Sequence, residues 1–398
     1  MRQVRFADFD LQEYKTRAER MQRAMDESGI DLLIITNPAN MRNLFGFQNI
    51  LQTSIKRTLV GLLPKENIDG AALFIPADCQ GSPQTWVEDV HFWHEGHAPP
   101  FDETLTDLTL VINKIDLMGL GRSCIGFELG FGSRMNMPVE QIDQLRKGLN
   151  KASLVDATPV INQIRAVKSE VEINILRQIS RVSLSGIRKG FEALEEGLSE
   201  AGLCRLIHAE NFLAGADGMG MVGVLFGVDG FYRANMYPTD FRRLKRNEWI
   251  NVDGGDTKSA YCADMCRMAV FGKATRESLA CFEAIVEANH TIINTIRPGI
   301  PCSELYRVGM DVFKRAGFAN LITTTSVGHG IGLNNHEMPD LHRDNNQLLV
   351  EGMVLCVEPW IADPDMGALN LEDMVIVREN GAELITSDLR EKIPFTKE

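Results

Sequence analysis

Four acidic residues and one histidine stand at the ends of apolar segments in the C-terminal part of this 398-residue chain. Asp253 ends a strand-like segment before a Gly-Gly turn, and Asp264 lies on the predicted returning strand. An antiparallel hairpin would bring these two carboxylates face to face. Glycines on both sides of His329 leave room for an ion or ligand, while Glu358 ends one apolar strand and Glu372 begins another. The chain is therefore predicted to gather these side chains at one site.

Together these side chains form a hard, oxygen-rich set of potential metal ligands. Each is weak evidence alone, because an aspartate after a strand is usually a turn residue, and His329 is predicted to lie in a glycine-rich loop, where a histidine is more often structural than catalytic. One divalent ion seldom gathers four anions, whereas two adjacent ions that share bridging carboxylates would balance them. Such a pair, about 3.5–4 Å apart, lowers the pKa of a bridging water and polarises the substrate's oxygen. The ordered set therefore predicts a dinuclear site.

The pattern of helices and strands changes near residues 156–169, which divides the chain into two predicted domains. Upstream, short apolar strands such as 30–36 alternate with helical segments, a pattern typical of an α/β domain, and the NPAN segment (37–40) is predicted to be a turn. Downstream, long helical segments such as 170–197 are segregated from strand-like segments, which predicts an α+β domain. The predicted domains are residues 1–157 and 158–398.

Composition excludes several classes of protein. The chain has 41 Lys and Arg against 54 Asp and Glu, and its net charge of −13 is too acidic for coating phosphate backbones. No apolar run approaches the roughly 18–20 residues of a membrane helix. The eight cysteines form no CxxC pair, and the N-terminal segment lacks the apolar region of a secretory signal. These features predict a soluble cytoplasmic enzyme, with neither nucleic acid nor a membrane as partner.

Several short motifs follow one another through the second half of the chain: VDGG, ADMCR, GHGIG, HEMP, VEPW and LEDMVIV. In order and spacing they resemble the creatinase/prolidase/methionine-aminopeptidase family, whose catalytic domain has the pita-bread fold. The segment INQIRAVKSEVEI resembles the stretch that opens the catalytic domain in the longer members. The resemblance implies the branch that contains creatinase, prolidase and Xaa-Pro aminopeptidase. Such a chain has an α/β N-terminal domain and an α+β pita-bread catalytic domain, and it forms a homodimer.

The resemblance also implies a role for each carboxylate and for the histidine. Asp253 and Asp264 would hold the first metal ion, with Asp264 bridging to the second. His329 and Glu358 would bind the second ion, and Glu372 would bridge both. The implied cofactors are two divalent ions, and Mn, Fe, Co and Zn all tolerate such ligands.

Two residues are implied to be catalytic. In the family's peptidases, the ligand that matches Glu358 also takes part in proton transfer to or from the metal-bound water. His336 matches the second family histidine, which contacts the substrate or the tetrahedral intermediate. The implied activity is hydrolysis of a C–N bond, nearest to that of Xaa-Pro dipeptidases and aminopeptidases.

The chain departs from the peptidase pattern at three positions. The family's peptidases usually carry a histidine upstream of the first aspartate, and here that position falls on Asn235 or Met236. Prolidases tend to have an arginine at the position of Asn370, and dimethylsulfoniopropionate lyases of this fold carry an acidic base at the position of Asn335. These departures leave open a small-molecule hydrolase or lyase resembling creatinase, ectoine hydrolase or that lyase. A catalytically inactive binding module is a third hypothesis, against which the retained ligand positions argue.

Overall fold

The computed structural model describes residues 8–49, 58–79, 85–93, 108–228, 237–390 and 395–397. The chain divides into two compact units, Met1–Ile164 and Arg165–Glu398. The boundary predicted between residues 157 and 158 lies at the start of the helix Thr158–Ala166 and stays a prediction. Within the described ranges, no helix is both long and apolar enough to cross a membrane.

The N-terminal unit is a mixed sheet with helices. Its helices within the described residues are α1 (Leu11–Glu27), α2 (Pro38–Phe45), α3 (Thr109–Leu117), α4 (Val139–Gly148) and α5 (Thr158–Ala166), the last of which crosses the division between the units. Its strands there are β1 (Leu32–Ile35), β2 (Val60–Pro64), β3 (Ala72–Pro76), β4 (Asp89–Trp93), β5 (Cys124–Phe127) and β6 (Ser153–Asp156). The strands lie in the order β4-β3-β2-β1-β5-β6, in which only β2 runs antiparallel to its neighbours.

Strand β1 is buried on both faces, which explains its unbroken apolar sequence LLII. Leu33 and Ile35 pack into one hydrophobic cluster with residues of α1. Leu32 and Ile34 pack into a second cluster with residues of α3 and α4, because successive strand residues face opposite sides of a sheet. These two cores make the unit the predicted α/β domain.

The predicted turn at residues 37–40 is wrong, because these residues begin helix α2. The Asn37 side chain accepts hydrogen bonds from the backbone N–H groups of Ala39 and Asn40, and Pro38 occupies the first turn. An asparagine cap followed by proline starts a helix as readily as it makes a turn. The apolar residues that complete the helix, such as Leu44, lie downstream of the four-residue motif.

The C-terminal unit has long helices and two larger sheets. Its further helices are α6 (Glu170–Glu192), α7 (Glu200–Ala214), α8 (Arg276–Thr295) and α9 (Cys302–Ala316). Its strands are β7 (Val222–Phe226), β8 (Glu248–Gly254), β9 (Thr257–Lys258), β10 (Tyr261–Cys262), β11 (Cys266–Phe271), β12 (Ser326–Gly330), β13 (Glu337–His342), β14 (Val354–Val357), β15 (Trp360–Asp363), β16 (Gly367–Asn370), β17 (Asp373–Arg378), β18 (Gly381–Leu384) and β19 (Phe395–Lys397). Both sets refer to the described part of the chain.

Within the described residues, one sheet of this unit has the order β19-β11-β8-β7 and the other the order β13-β12-β14-β17-β18. β9 and β10 form a hairpin, as do β15 and β16. Phe282 of α8 and Phe313 of α9 share one hydrophobic core with Met268 of β11 and Leu355 of β14. The helices therefore pack against both sheets, which is the α+β organisation that the sequence predicts.

Candidate metal centre

The first two carboxylates lie beside the pairing of β8 with β11. Asp253 is the second-last residue of β8, and its partner in the ladder is Cys266, the first residue of β11. Asp264 lies two residues before β11, so the prediction that it lies on the returning strand is wrong. Within the part of the chain that the structure describes, its backbone N–H makes no strand hydrogen bond and instead contacts the Met374 sulfur at 3.4 Å, and the residues just before it, 261–262, pair with β9. The carboxylate is thus carried by a short connection between strands.

The other three side chains lie at one end of neighbouring strands in the five-stranded sheet. β14 pairs antiparallel with both β12 and β17, and Val357 lies opposite Asp373. Glu358 directly follows β14 and Glu372 directly precedes β17, so the two carboxylates are neighbours. His329 lies on β12 beside them.

The glycines around His329 allow neighbouring strands to approach β12, and the prediction that they leave room for an ion or ligand stays a prediction. A Cβ atom on Gly328 would lie 2.0 Å from the carbonyl oxygen of Cys356 on β14. A Cβ atom on Gly330 would lie 2.5 Å from the carbonyl oxygen of Met338. Glycine at both positions allows the backbones of β13 and β14 to approach β12 closely. The segment predicted as a glycine-rich loop around His329 is therefore a central strand.

The structure brings all five predicted ligands together. His329 Nε2 lies 3.7 Å from Asp264 Oδ2, 3.6 Å from Glu358 Oε1 and 3.8 Å from Glu372 Oε1. Asp253 completes the group, because its carboxyl group lies close enough to that of Glu372 for a protonated Glu372 to donate a hydrogen bond to it. A side-chain cluster of one imidazole and four carboxylates, here called the carboxylate cluster, therefore lies where strands of the two sheets end.

His329 presents its Nε2 lone pair to this cluster. Burial lowers the pKa of His329 to about 4, so the ring is neutral at pH 7. Its Nδ1 lies 3.0 Å from the Gly330 carbonyl oxygen, which can only accept a hydrogen bond. The proton therefore resides on Nδ1, and Nε2 is left as an acceptor, as a metal-binding histidine requires.

The carboxylates are destabilised as anions by their surroundings. Burial raises the pKa of Asp253, Asp264 and Glu372, and it raises that of Glu358 to about 8. The neighbouring carboxylates raise the pKa of Asp264, Glu358 and Glu372 further, because like charges repel. A bound cation would reverse both effects, since it compensates the charge that burial and repulsion disfavour.

Two buried oxygens of the cluster lack a partner. Among the described residues, neither Asp264 Oδ1 nor Glu372 Oε1 has a hydrogen-bond partner. A buried polar atom left unpaired costs about 1–3 kcal/mol, and more when it is charged. Unpaired carboxylate oxygens around a neutral imidazole are a donor set suited to divalent transition-metal ions. The residues present therefore fit a metal centre.

Cys356 is a neighbour that sequence reasoning places only in an apolar run. Its sulfur and ligand atoms of Asp264, His329 and Glu372 all lie within 4.8 Å of one another. Burial, and then the nearby carboxylates, raise the pKa of the Cys356 thiol well above its ordinary value. In the metal-free protein the thiol is therefore protonated, and it packs as an apolar wall of the cluster.

The accessible side of the centre is marked by His336 and Glu358. The His336 ring is exposed and packs on the His329 ring, with 3.9 Å between their centroids. The Glu358 side chain is 25% exposed, whereas those of Asp264 and Glu372 are almost fully buried. Both residues predicted to be catalytic are therefore placed where a substrate can reach them.

The turn after Asp253 is anchored by a buried ion pair that sequence reasoning missed. The Asp256 carboxylate accepts hydrogen bonds from His208 Nδ1 (2.8 Å), Asn211 Nδ2 (2.9 Å) and the Gly220 N–H (2.9 Å). The bond to Asp256, followed by a contact with Cys204, raises the pKa of His208 to about 10. A charged histidine thus ties α7 to the turn that follows the first ligand, Asp253.

The departures from the peptidase pattern have different outcomes. Asn235 and Met236 lie outside the described residues. The Asn370 side chain hydrogen-bonds the Glu358 carboxylate, and Asn370 pairs with Trp360 across the β15–β16 hairpin. Asn335 Nδ2 donates a hydrogen bond of 2.6 Å to Asp264 Oδ2. Two asparagine amides therefore contact carboxylates of the cluster.

Two family models match the chain, one over most of the N-terminal unit and the other over most of the C-terminal unit. Residues 17–167 match the model of the creatinase/prolidase N-terminal domain. Residues 174–379 match the model of metallopeptidase family M24, and all five predicted ligands lie in this range.

Similar proteins and solved structures agree with these matches. An uncharacterized peptidase of Staphylococcus aureus is 32% identical over 252 residues, which are 63% of this chain and 71% of that protein. A crystal structure of the dipeptidase PepE from Mycobacterium ulcerans matches with a TM-score of 0.82 and 24% identity over 98% of this chain and 99% of that one. A prolidase from Thermococcus sibiricus matches with a TM-score of 0.83 and 22% identity over 96% and 99%. The predicted pita-bread fold with a creatinase-type N-terminal domain is thereby confirmed.

Proposed function

Because this chain belongs to metallopeptidase family M24, we propose that it is a dinuclear metal-dependent hydrolase that cleaves the peptide bond of Xaa-Pro substrates. Family membership makes it a metal-dependent hydrolase of the peptidase type, as predicted. The number of ions, the substrate and the residue roles are the proposal. The observation that carries it is the convergence of four carboxylates on His329 Nε2 with two buried oxygens left unpaired.

The cluster has the charge to hold two ions. We assign Asp253 and Asp264 to one ion and His329 and Glu358 to the other, with Asp264 and Glu372 shared between them. One divalent ion would leave four carboxylates with a net charge of about −2, whereas two would neutralise the set. Mn, Fe, Co and Zn remain the candidate metals, because imidazole and carboxylate suit all of them.

The accessible residues supply the proton chemistry. Bound divalent ions supply Lewis acidity, which polarises the scissile carbonyl and lowers the pKa of water. Glu358 accepts a proton from the attacking water and delivers it to the leaving nitrogen, a role suited to a carboxylate of the cluster whose side chain is 25% exposed. Exposed His336 donates a hydrogen bond to the oxygen on which negative charge develops.

The proposed substrate class rests on the solved structures. Those with the same fold include a dipeptidase, a prolidase and an Xaa-Pro dipeptidase from Bacillus anthracis. The lyase alternative loses support because the Asn335 amide, which stands where the lyases carry an acidic base, is engaged with Asp264. A homodimer and a cytoplasmic location belong to the same proposal. The free state of the eight cysteines supports a reducing compartment.

An assay of the reloaded enzyme tests the substrate class. Protein stripped with a chelator and reloaded separately with Mn²⁺, Fe²⁺, Co²⁺ or Zn²⁺ is given Ala-Pro and Met-Pro, with Ala-Ala as the matched peptide. A cyclic amidine, a guanidino compound and a sulfonium compound complete the panel. We expect metal-dependent release of proline, measured by amino-acid analysis, and no release from the stripped protein. Turnover of one of the three non-peptides with no cleavage of either Xaa-Pro dipeptide would contradict the proposal.

A further inference from the structure

The segment between β12 and β13 carries Asn335 to the carboxylate cluster. Asn335 Nδ2 lies 2.6 Å from Asp264 Oδ2, a distance typical of a strong hydrogen bond to a charged acceptor. The donor must be the amide nitrogen, because a carboxylate can only accept. Asp264 Oδ2 is also the oxygen that lies 3.7 Å from His329 Nε2. Asn335 therefore contacts the carboxylate proposed to be shared between two ions.

This segment is held on both sides of Asn335. Upstream, the Cys262 N–H donates a 2.8 Å hydrogen bond to the Gly332 carbonyl, which ties the segment to the connection that carries Asp264. The Asn334 N–H donates at 3.0 Å to the carboxylate of Glu337, which lies two residues downstream of Asn335. The backbone on both sides of the amide is therefore fixed before any ion binds.

Glu337 is itself held by two buried cations. Arg165 forms an ion pair with it, and Lys168 Nζ lies 3.4 Å from its Oε2. The side chains of all three residues are at most 8% exposed. Burial is the largest single effect on the pKa of Glu337 and acts to raise it. The attraction of Arg165 and Lys168 opposes burial, and the pKa of Glu337 stays below its ordinary value. A charged, buried triad thus anchors the segment that presents Asn335.

The hydrogen bond from Asn335 distinguishes the two carboxylate oxygens of Asp264. Oδ2 accepts from the amide and keeps one lone-pair direction, while Oδ1 is buried without a partner among the described residues. With Oδ2 fixed by the amide, the carboxylate plane cannot rotate freely. An amide neither gains nor loses a proton near pH 7, so the residue contributes orientation and no acid–base chemistry.

We propose that Asn335 is a positioning residue of the metal centre, whose amide fixes Asp264 in the orientation that binds the shared ions. The inference rests on the proposed dinuclear function. Hydrogen-bond partners of metal-binding carboxylates typically contribute 10–100-fold to metal affinity. The effect therefore falls on metal binding, and the metal-free fold is held by the Glu337 triad and by the strands.

The test compares Asn335→Leu, which removes the amide at similar volume, with Asn334→Leu in the adjacent exposed residue. Asn335→Ser, whose hydroxyl is too short to reach Asp264, serves as a second variant should the leucine protein fail to fold. Calorimetric titration of chelator-stripped protein with MnCl2 gives the affinity for each ion. The thermal midpoints of the metal-free and Mn²⁺-loaded proteins show whether any loss is structural.

We expect Asn335→Leu to bind at least one Mn²⁺ about 10–100-fold more weakly, with a midpoint that falls more for the Mn²⁺-loaded than for the metal-free protein, and Asn334→Leu to bind like the wild type. Wild-type affinity in both position-335 variants, alongside a wild type that binds two ions, would overturn the inference and leave the dinuclear function intact. An equal fall of the metal-free and loaded midpoints would make the role merely structural and also overturn it. A wild-type protein that binds no Mn²⁺ would overturn both.

Discussion

Replacement of Asp264 with asparagine is expected to abolish peptide hydrolysis and the binding of at least one divalent ion. The substitution keeps the size of the side chain but removes a negative charge from the carboxylate cluster. An amide has one oxygen for a metal, so it cannot link two ions as a carboxylate can. Hydrolysis should fall to the background rate, and elemental analysis should show fewer than two ions per chain.

The same variant is expected to stabilise the metal-free protein. Asp264 is almost fully buried, and burial, Asp253 and Glu358 all raise its pKa. Removal of this charge relieves repulsion that no cation compensates, so the metal-free thermal midpoint should rise by roughly 2–4 °C for each kcal/mol gained. The Mn²⁺-loaded midpoint should fall instead, because binding of the metal stabilises only a competent site. These opposite shifts distinguish a lost metal ligand from general misfolding.

Asp344→Asn is the matched control, because the Asp344 side chain is 73% exposed and lies outside the cluster. It should retain activity, metal content and both thermal midpoints. Full hydrolysis and two bound ions in Asp264→Asn would contradict the proposed role of Asp264. A metal-free midpoint below that of the wild type would contradict the account of the buried charges.

Of the substitutions proposed here, replacement of Arg267 with methionine is expected to lower the free energy of unfolding the most. Arg267 and Asp373 form an ion pair whose side chains are fully buried, with 2.8 Å between Nη2 and Oδ1. The guanidinium also donates to backbone carbonyl groups: those of Cys266, Glu372, Thr386 and Asp388. Methionine fills much of the volume but leaves these acceptors and part of the Asp373 charge unpaired. Breaking one side of a buried pair costs about 3–5 kcal/mol.

This loss should reach the metal centre, because Arg267 holds the carbonyl of Glu372. Chemical denaturation should show the lower free energy of unfolding, and titration with Mn²⁺ should show weaker binding by the folded variant. Arg307→Met is the control, since Arg307 forms exposed ion pairs with Glu304 and Asp311 on α9. Exposed pairs contribute little, so this variant should unfold like the wild type. Equal stability of the two variants would contradict a structural role for the buried pair.

The sequence identifies the side chains that converge in the carboxylate cluster better than it predicts their local structure. Asp253, Glu358 and Glu372 were identifiable because each interrupts an apolar strand at its end, and a carboxylate there must leave the sheet. Asp264 was placed on a strand because the apolar pattern does not reveal that residues 261–262 pair with β9. The glycines beside His329 suggested a loop, whereas they accommodate the backbones of neighbouring strands.

Contacts between residues far apart in the sequence cannot be predicted from local sequence patterns. Asn335 and Asp264 are separated by 71 positions, and their hydrogen bond depends on the register of β12 and β13 and on one side-chain rotamer. The same holds for His208 and Asp256, which come from α7 and a turn 48 positions away. Periodicity and spacing report which face a residue occupies, but they do not report which polar group faces it across the fold.

The central claim is that two divalent ions lie within the carboxylate cluster. The most direct measurement is an anomalous-difference map from crystals of the stripped protein soaked in MnCl2, collected at the manganese absorption edge. Two peaks are expected in each chain, one beside Asp253 and one beside His329, with Asp264 and Glu372 in contact with both. A single peak, or peaks only at other places on the protein, would contradict the dinuclear account.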